Sequence, residues 1–225
     1  MLRVLLLDLM DVLVHDPYRE ALRAGTGQDV LTAHRFSDRE AWPLFEVAAI
    51  DEAEFARRFA AGAGHFDLAA FNRARRAGYR WLPGMRELVV ATRGRLERHV
   101  ASNYPVWIEQ LRRDLGLDDL VEGVWASHHL GVRKPDPRFF ARILAAIDAD
   151  PADCLFVDDR EVNVQAALAV GLRAHLFAGV VGVVRRLAEE GVDLGATSPT
   201  APASWSRMDL READARDARD ARGAR

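Results

Sequence analysis

Four short stretches of this 225-residue chain carry side chains suited to chemistry: Asp8, Ser102-Asn103, Lys134 and Asp158-Asp159. Asp8 closes the apolar run from Val4 to Leu7. A carboxylate at the end of such a run is costly to desolvate unless a metal, a cation or a reaction needs it. Asp8 is therefore a candidate nucleophile or metal ligand. Ser102-Asn103 follows the run RHVAS, and Asp158-Asp159 follows the run starting at Cys154. Composition sets Lys134 apart, because of 31 basic side chains it alone is a lysine. A compact ammonium serves where a wide planar guanidinium cannot. Together the set offers carboxylates, a hydroxyl and an ammonium. Clustered carboxylates repel one another unless a cation bridges them, and an all-oxygen set suits Mg2+.

Elements that gather these residues can be read from the pattern. A short apolar run bounded by polar residues fits a strand buried on both faces of a parallel sheet. Strands are expected at Val4–Leu7, Arg98–Ser102, Val124–Ser127, Cys154–Val157 and Ala174–Phe177. Helices are expected between them: Met85–Thr92, Pro105–Leu115, Asp136-Pro137 to Ile147, Val162–Val170 and Gly179–Glu190. This alternation predicts an α/β fold, a doubly wound parallel sheet of Rossmann-like form. The carboxyl ends of the strands in such a sheet share one edge, where ligands bind.

Residues 15–80 carry helical signals alone. Asp16-Pro17, Ser37 with Glu40, Asp51 with Glu54, and Asp67 have capping character, and Gly78 reads as a C-terminal stop. The expected division is a core of residues 1–14 and 81–192, a helical cap over 15–80, and a tail over 193–225. The end of that tail, ADARDARDARGAR, repeats every three residues and offers no large apolar side chain, so it reads as disordered. His34, His65, Trp42 and Trp81 read as packing residues. His128-His129 would point in opposite directions if extended, which makes them a poor metal pair.

The formal net charge of -3 argues against nucleic acid and acidic membrane surfaces as partners. The single Cys154 excludes an internal disulfide and a cysteine-based zinc cluster. Neither a secretory signal nor a run of transmembrane length is visible, so the expected location is cytoplasmic. Oligomeric state leaves no sign in the sequence.

The motifs FVDDREVNVQAALAVGL at 156–172 and GVRKPDPRFF at 131–140, with VASN at 100–103 and the strand end at Asp8, resemble the haloacid dehalogenase-like hydrolase superfamily. The resemblance spans roughly residues 1–180 and points to the phosphatase branch with a small all-helical cap. It implies a phosphomonoesterase acting on a small phosphorylated metabolite, such as a sugar phosphate. Asp8 would form an aspartyl-phosphate. Ser102 would bond a phosphoryl oxygen, and Asn103 would hold the loop or the substrate. Lys134 would neutralise the phosphate and orient Asp8. Mg2+ would be held by Asp8, the Met10 backbone carbonyl, Asp158 and Asp159, with Asn163 bracing that turn.

One residue departs from the family pattern. Phosphatases of this family usually carry a second Asp two residues after the nucleophile, as general acid and base; here Met10 stands in its place. Its thioether carries no proton at neutral pH. In a period-2 strand Asp11 would point away from the face of Asp8 and Met10. It reads instead as a residue placed for left-handed backbone, which Asp tolerates. Loss of acid–base catalysis costs ~10²–10⁴-fold in rate, so a slow or substrate-restricted phosphatase is expected. A catalytically degenerate domain that binds a phosphometabolite or a partner is the alternative. A 2-haloacid dehalogenase is the second alternative, disfavoured by the acidic pair Asp158-Asp159.

Overall fold

A computed structural model of the chain describes residues 1–29, 32–33, 38–192 and 194. The capping pair read at Ser37, His34 and the expected disordered tail fall outside these described residues. Five strands form one sheet: β1 Val4–Leu7, β2 Glu97–Ser102, β3 Gly123–Ala126, β4 Cys154–Asp158 and β5 Arg173–Leu176. Every pairing is parallel and the order is β3-β2-β1-β4-β5. β1 is thus central, at the point where the winding reverses. Its four side chains are buried, Val4 and Leu6 against one cluster and Leu5 and Leu7 against the other. That explains an unbroken apolar run where a one-sided sheet would alternate.

Among the described residues, four helices lie between residues 15 and 80: α1 Tyr18–Thr26, α2 Ala41–Glu46, α3 Glu52–Ala63 and α4 Leu68–Gly78. A fifth, α5 Met85–Ala91, precedes β2, and the others alternate with the remaining strands: α6 Ile108–Leu115, α7 Ser127–Leu130, α8 Pro137–Ile147, α9 Glu161–Ala169 and α10 Val180–Glu189. Capping residues act as their spacing predicts. Asp51 accepts from the Glu54 N–H at 2.8 Å, Asp67 from Ala70 at 2.9 Å, and Asp136 from Arg138 at 2.9 Å. Asp16 accepts from the Tyr18 N–H at 3.0 Å, but α1 begins at Tyr18, so Pro17 takes the cap position expected of Asp16. Pro43 lies in the first turn of α2, where it breaks no helical hydrogen bond.

Two segments cross between the sheet and the four helices, and they run side by side. Val14 and Trp81 form an antiparallel bridge, flanked by Leu82 N–H to Leu13 O and His15 N–H to Arg80 O, both 2.9 Å. Aromatic packing continues across this junction. Phe45 and Phe55 stack with ring centres 4.9 Å apart, and Trp107 meets Phe45 edge-on at 5.0 Å. The Arg75 guanidinium lies 4.1 Å over the Trp107 ring, whose N–H donates to Glu52 at 2.5 Å.

Three local expectations need correction. Gly78 is the last residue of α4, followed by extended Tyr79, and does not form a left-handed stop. A Cβ there would lie 2.3 Å from the Pro17 Cβ, so the glycine lets α4 approach the start of α1. Ser127 opens the short helix α7 and does not end β3. His128 and His129 are therefore helical, not extended, and His129 pairs with Glu109 at 2.7 Å. Gly78→Ala should destabilise the protein by about 1–3 kcal/mol, the usual cost of overpacking. Urea unfolding should show a lower midpoint with an unchanged slope.

Candidate active site

Register places the first two carboxylates together. Leu7 pairs with Val157 of β4 and Val100 of β2. The next residue along, Asp8, is therefore level with Asp158, and its N–H still donates to Val157 O at 2.9 Å. Beyond Asp8 the chain turns sharply. Leu9 N–H donates to Asp8 Oδ1 at 2.8 Å, while Leu13 and Val14 both donate to Leu9 O. No strand continues past Leu7, so Asp11 does not lie in the period-2 strand expected for it. Its backbone reading holds: Asp11 is left-handed, with φ 56°. Its carboxylate accepts from the Asp16 N–H at 3.0 Å.

Lys134 arrives from the loop between α7 and α8. Its Nζ lies 2.9 Å from Asp8 Oδ1, 2.6 Å from Asp158 Oδ2 and 2.8 Å from Ala101 O. Three ammonium donors meet three acceptors. Asn103 fixes the lysine backbone from both sides: its Nδ2 donates to Lys134 O at 2.9 Å and its Oδ1 accepts from Lys134 N–H at 2.8 Å. Asp158 is saturated as well. Arg160 N–H donates to Oδ1 at 2.9 Å, and Asn163 Nδ2 reaches both oxygens, at 2.9 and 3.1 Å. Lys134 is 1 % exposed and Asp158 fully buried.

Carboxylates of Asp8, Asp158 and Asp159 offer oxygens all within 4.8 Å of one another. Burial pushes the Asp8 carboxyl from 3.8 to about 7, with Lys134 offsetting only part of that rise and Asp158 adding to it. Partial burial and the neighbouring Asp158 raise Asp159 to about 6. Burial opposes the Lys134 ammonium, but the two carboxylates outweigh it and hold its pKa above the ordinary value. Asp8, Met10, Ser102, Asn103, Lys134 and Asp159 line one cavity of about 530 Å³. Buried Asp158 and Asn163 stand behind this wall as braces of the turn, with Asn163 reaching the cavity edge.

The four intervening helices supply further wall residues that sequence reasoning did not assign: Tyr18, Trp42, Glu46 and Phe59, with Arg133 and Arg160 from the core loops. Tyr18 and Trp42 lie side by side, with ring centres 5.1 Å apart. Glu46 had one visible signal. It is the single charged residue between Ala41 and Ile50. No helix among the described residues is long and apolar enough to cross a membrane.

A parallel sheet whose central strand ends in a buried carboxylate, with a buried lysine and an acidic pair at the end of the adjacent strand, defines an α/β core with a charged site at its carboxyl edge. Residues 2–171 match the family model of haloacid dehalogenase-like hydrolases, and the chain belongs to that family. A chloroplast flavin mononucleotide hydrolase of Arabidopsis thaliana is 32% identical over 194 residues, covering 86% of this chain and 79% of the relative. A Bacteroides thetaiotaomicron family enzyme, solved with magnesium and inorganic phosphate, superposes with TM-score 0.66 at 18% identity, over 78% of this chain and 94% of that one. The L-2-haloacid dehalogenase of Xanthobacter autotrophicus shares the fold too, with TM-score 0.61 at 18% identity over 91% of this chain and 86% of that one.

Removing the shared cation should be severe. Lys134→Met leaves Asp8 and Asp158 facing each other in the core, and breaking such a buried pair costs about 3–5 kcal/mol. Without the ammonium the Asp8 carboxyl is pushed further above its unfolded value. The deficit should therefore be large at pH 8 and shrink toward pH 5, where Asp8 takes up its proton. Denaturant melts of both proteins at the two pH values measure this; an equal deficit at both would show that charge is not the cause.

Proposed function

We propose that this hydrolase is a Mg2+-dependent phosphomonoesterase that works through an aspartyl-phosphate on Asp8 and acts on a small phosphorylated metabolite. One observation carries the reading. Three carboxylates converge within 4.8 Å against a single ammonium that Asp8 and Asp158 already share. The surplus negative charge opens onto a cavity, and a divalent cation held by oxygen suits it. Displacement of halide at carbon needs no such cation. The fold alone does not choose, since a dehalogenase and a magnesium- and phosphate-bound enzyme both share it. The flavin mononucleotide hydrolase among the relatives adds support for a phosphate ester.

The donor set fits the ion. Asp158 is engaged by Lys134, Arg160 N–H and Asn163, whereas the Asp159 carboxylate is exposed and is reached by its own backbone N–H. Asp8 and Asp159 would hold Mg2+ directly, with the Met10 carbonyl, and Asp158 would support them from behind. When bound, the ion supplies charge stabilisation to the phosphoryl oxygens in the transition state. The residues do the rest. Lys134 holds Asp8 by one oxygen, which aims the other at phosphorus. Ser102 bonds a phosphoryl oxygen, and Asn103 keeps Lys134 in place. The helices of residues 15–80 act as a cap that closes the site and selects the alcohol part of the ester.

Asp8→Asn should abolish phosphate release from nitrophenyl phosphate and from sugar phosphates alike. Met10→Asp should raise the rate on sugar phosphates, by up to ~10²-fold, the low end of acid–base catalysis, and change the aryl ester less, because nitrophenolate leaves unprotonated. Steady-state rates with excess Mg2+ test both. No turnover in the wild type and no gain from Met10→Asp would favour the binding-domain reading. Cation binding must also displace the protons that burial retains on Asp8 and Asp159, at about 7 and about 6. The rise in Tm with Mg2+ should therefore be larger at pH 8 than at pH 5.5.

A further inference from the structure

A phosphatase with Met10 at the acid position still needs a proton at the leaving oxygen. Six carboxylates line the cavity: Asp8, Asp11, Asp16, Asp38, Glu46 and Asp159. Asp8 and Asp159 belong to the acidic cluster. Asp11 accepts from the Asp16 N–H, and the Asp16 carboxylate, which burial raises to about 6, accepts from the Tyr18 N–H. Asp38 is exposed and faces Arg58 at 3.8 Å. Glu46 differs from all of these. It ends α2 with 3 % exposure, in the wall of the cavity that holds Asp8, Ser102 and Lys134.

Its carboxylate has a hydrogen-bond donor on one oxygen and an ion-pair partner, without an aligned hydrogen bond, beside the other. Trp42 Nε1 donates to Oε1 at 2.7 Å, and Arg133 Nε lies 2.8 Å from Oε2. Its backbone carbonyl accepts from Ser127 Oγ at 2.8 Å, which ties the end of α2 to the start of α7. Arg133 directly precedes Lys134, so the loop that delivers the ammonium also orients Glu46. The charged groups facing Glu46 are Arg133, Lys134 and Arg160. Burial nevertheless raises its carboxyl to about 7, against the pull of these three cations and the Trp42 bond. Both protonation states are therefore populated at neutral pH, which is what an acid that later turns base requires.

We propose that Glu46 carries the proton that Met10 cannot. The assignment rests on the phosphatase reading above. In the first step an Asp8 oxygen bonds to phosphorus, the ester P–O bond breaks, and Glu46 passes its proton to the departing alkoxide. In the second step a water oxygen bonds to phosphorus while Glu46 takes one of its protons. The Asp8–phosphorus bond then breaks, releasing phosphate and restoring both carboxyl groups. Transfer is direct or through one water.

The test separates the two steps. Glu46→Gln keeps the shape and the Trp42 contact. With nitrophenyl phosphate, whose leaving group needs no proton, it should release one nitrophenolate per site in a fast burst, followed by turnover slowed ~10²-fold or more. With an alkyl phosphate it should show the same slowing and no burst. Adding Met10→Asp to Glu46→Gln should restore alkyl turnover, a repair that a merely structural defect would not allow. Alkyl turnover at the wild-type rate in Glu46→Gln overturns the assignment. So does uniform loss without a burst that Met10→Asp fails to repair, or a burst produced by Asp16→Asn instead. Failure of the phosphatase reading is distinct: the wild type itself would then release no phosphate from either ester.

Discussion

The Lys134 ammonium is the interaction on which the rest of the site depends. A buried cation among apolar strands costs several kcal/mol to desolvate, and only well-placed acceptors recover that. Here Asp8, Asp158 and the Ala101 carbonyl take its three hydrogens, at 2.9, 2.6 and 2.8 Å. These acceptors come from three adjacent strands, so the parallel register of β2, β1 and β4 is what makes the arrangement achievable. A guanidinium is planar and could not fill this three-way arrangement. In a chain that otherwise uses arginine throughout, the one lysine stands where only a compact ammonium fits.

That dependence explains why much of the site was legible in the sequence. Asp8, Ser102 and Asp158 each end an apolar strand, and a central buried strand has a strong signature. Lys134 was marked by composition, not by an element: β3 ends at Ala126, and a helical turn and a loop intervene before the lysine. Strand and helix types followed from period and caps, and their ends moved by a few residues, as at Ser127. Asp11 shows a correct conclusion resting on a wrong premise. The left-handed backbone is present, but it belongs to a tight turn closed on the Leu9 carbonyl, not to a strand.

What the sequence concealed depends on contacts between distant segments. Gly78 looked like a helix stop because glycine commonly is one; the close approach of Pro17 is visible only when α1 and α4 are packed. Glu46 and Arg133 are 87 residues apart by number, and nothing local to either predicts that they meet at 2.8 Å. Even so, a lone glutamate in an otherwise uncharged stretch was a usable anomaly. Burying a carboxylate is unfavourable enough that an apolar surrounding is itself evidence of a partner.

The same logic bears on the order of binding under the proposed function. Asp8, Asp158 and Asp159 stand against Lys134 at the base of the cavity, so this end carries excess negative charge when all three are ionised. Burial and the neighbouring carboxylate favour the protonated forms, which lifts Asp8 to about 7 and Asp159 to about 6. The protonated form of Asp8 is a poor nucleophile, and the ionised form of the cluster would repel a phosphate dianion brought beside it. A divalent cation removes both obstacles at once, because it displaces the protons and reverses the local charge. Arg133 and Arg160, further along the wall, would attract the anion but cannot ionise Asp8 from there. The electrostatics therefore favour cation before substrate, and an acid–base group kept apart from the cluster. A carboxylate at position 10 would sit among the same charges; Glu46 stands on a different element beside Arg133 and Trp42 and feels the cluster through the Lys134 ammonium.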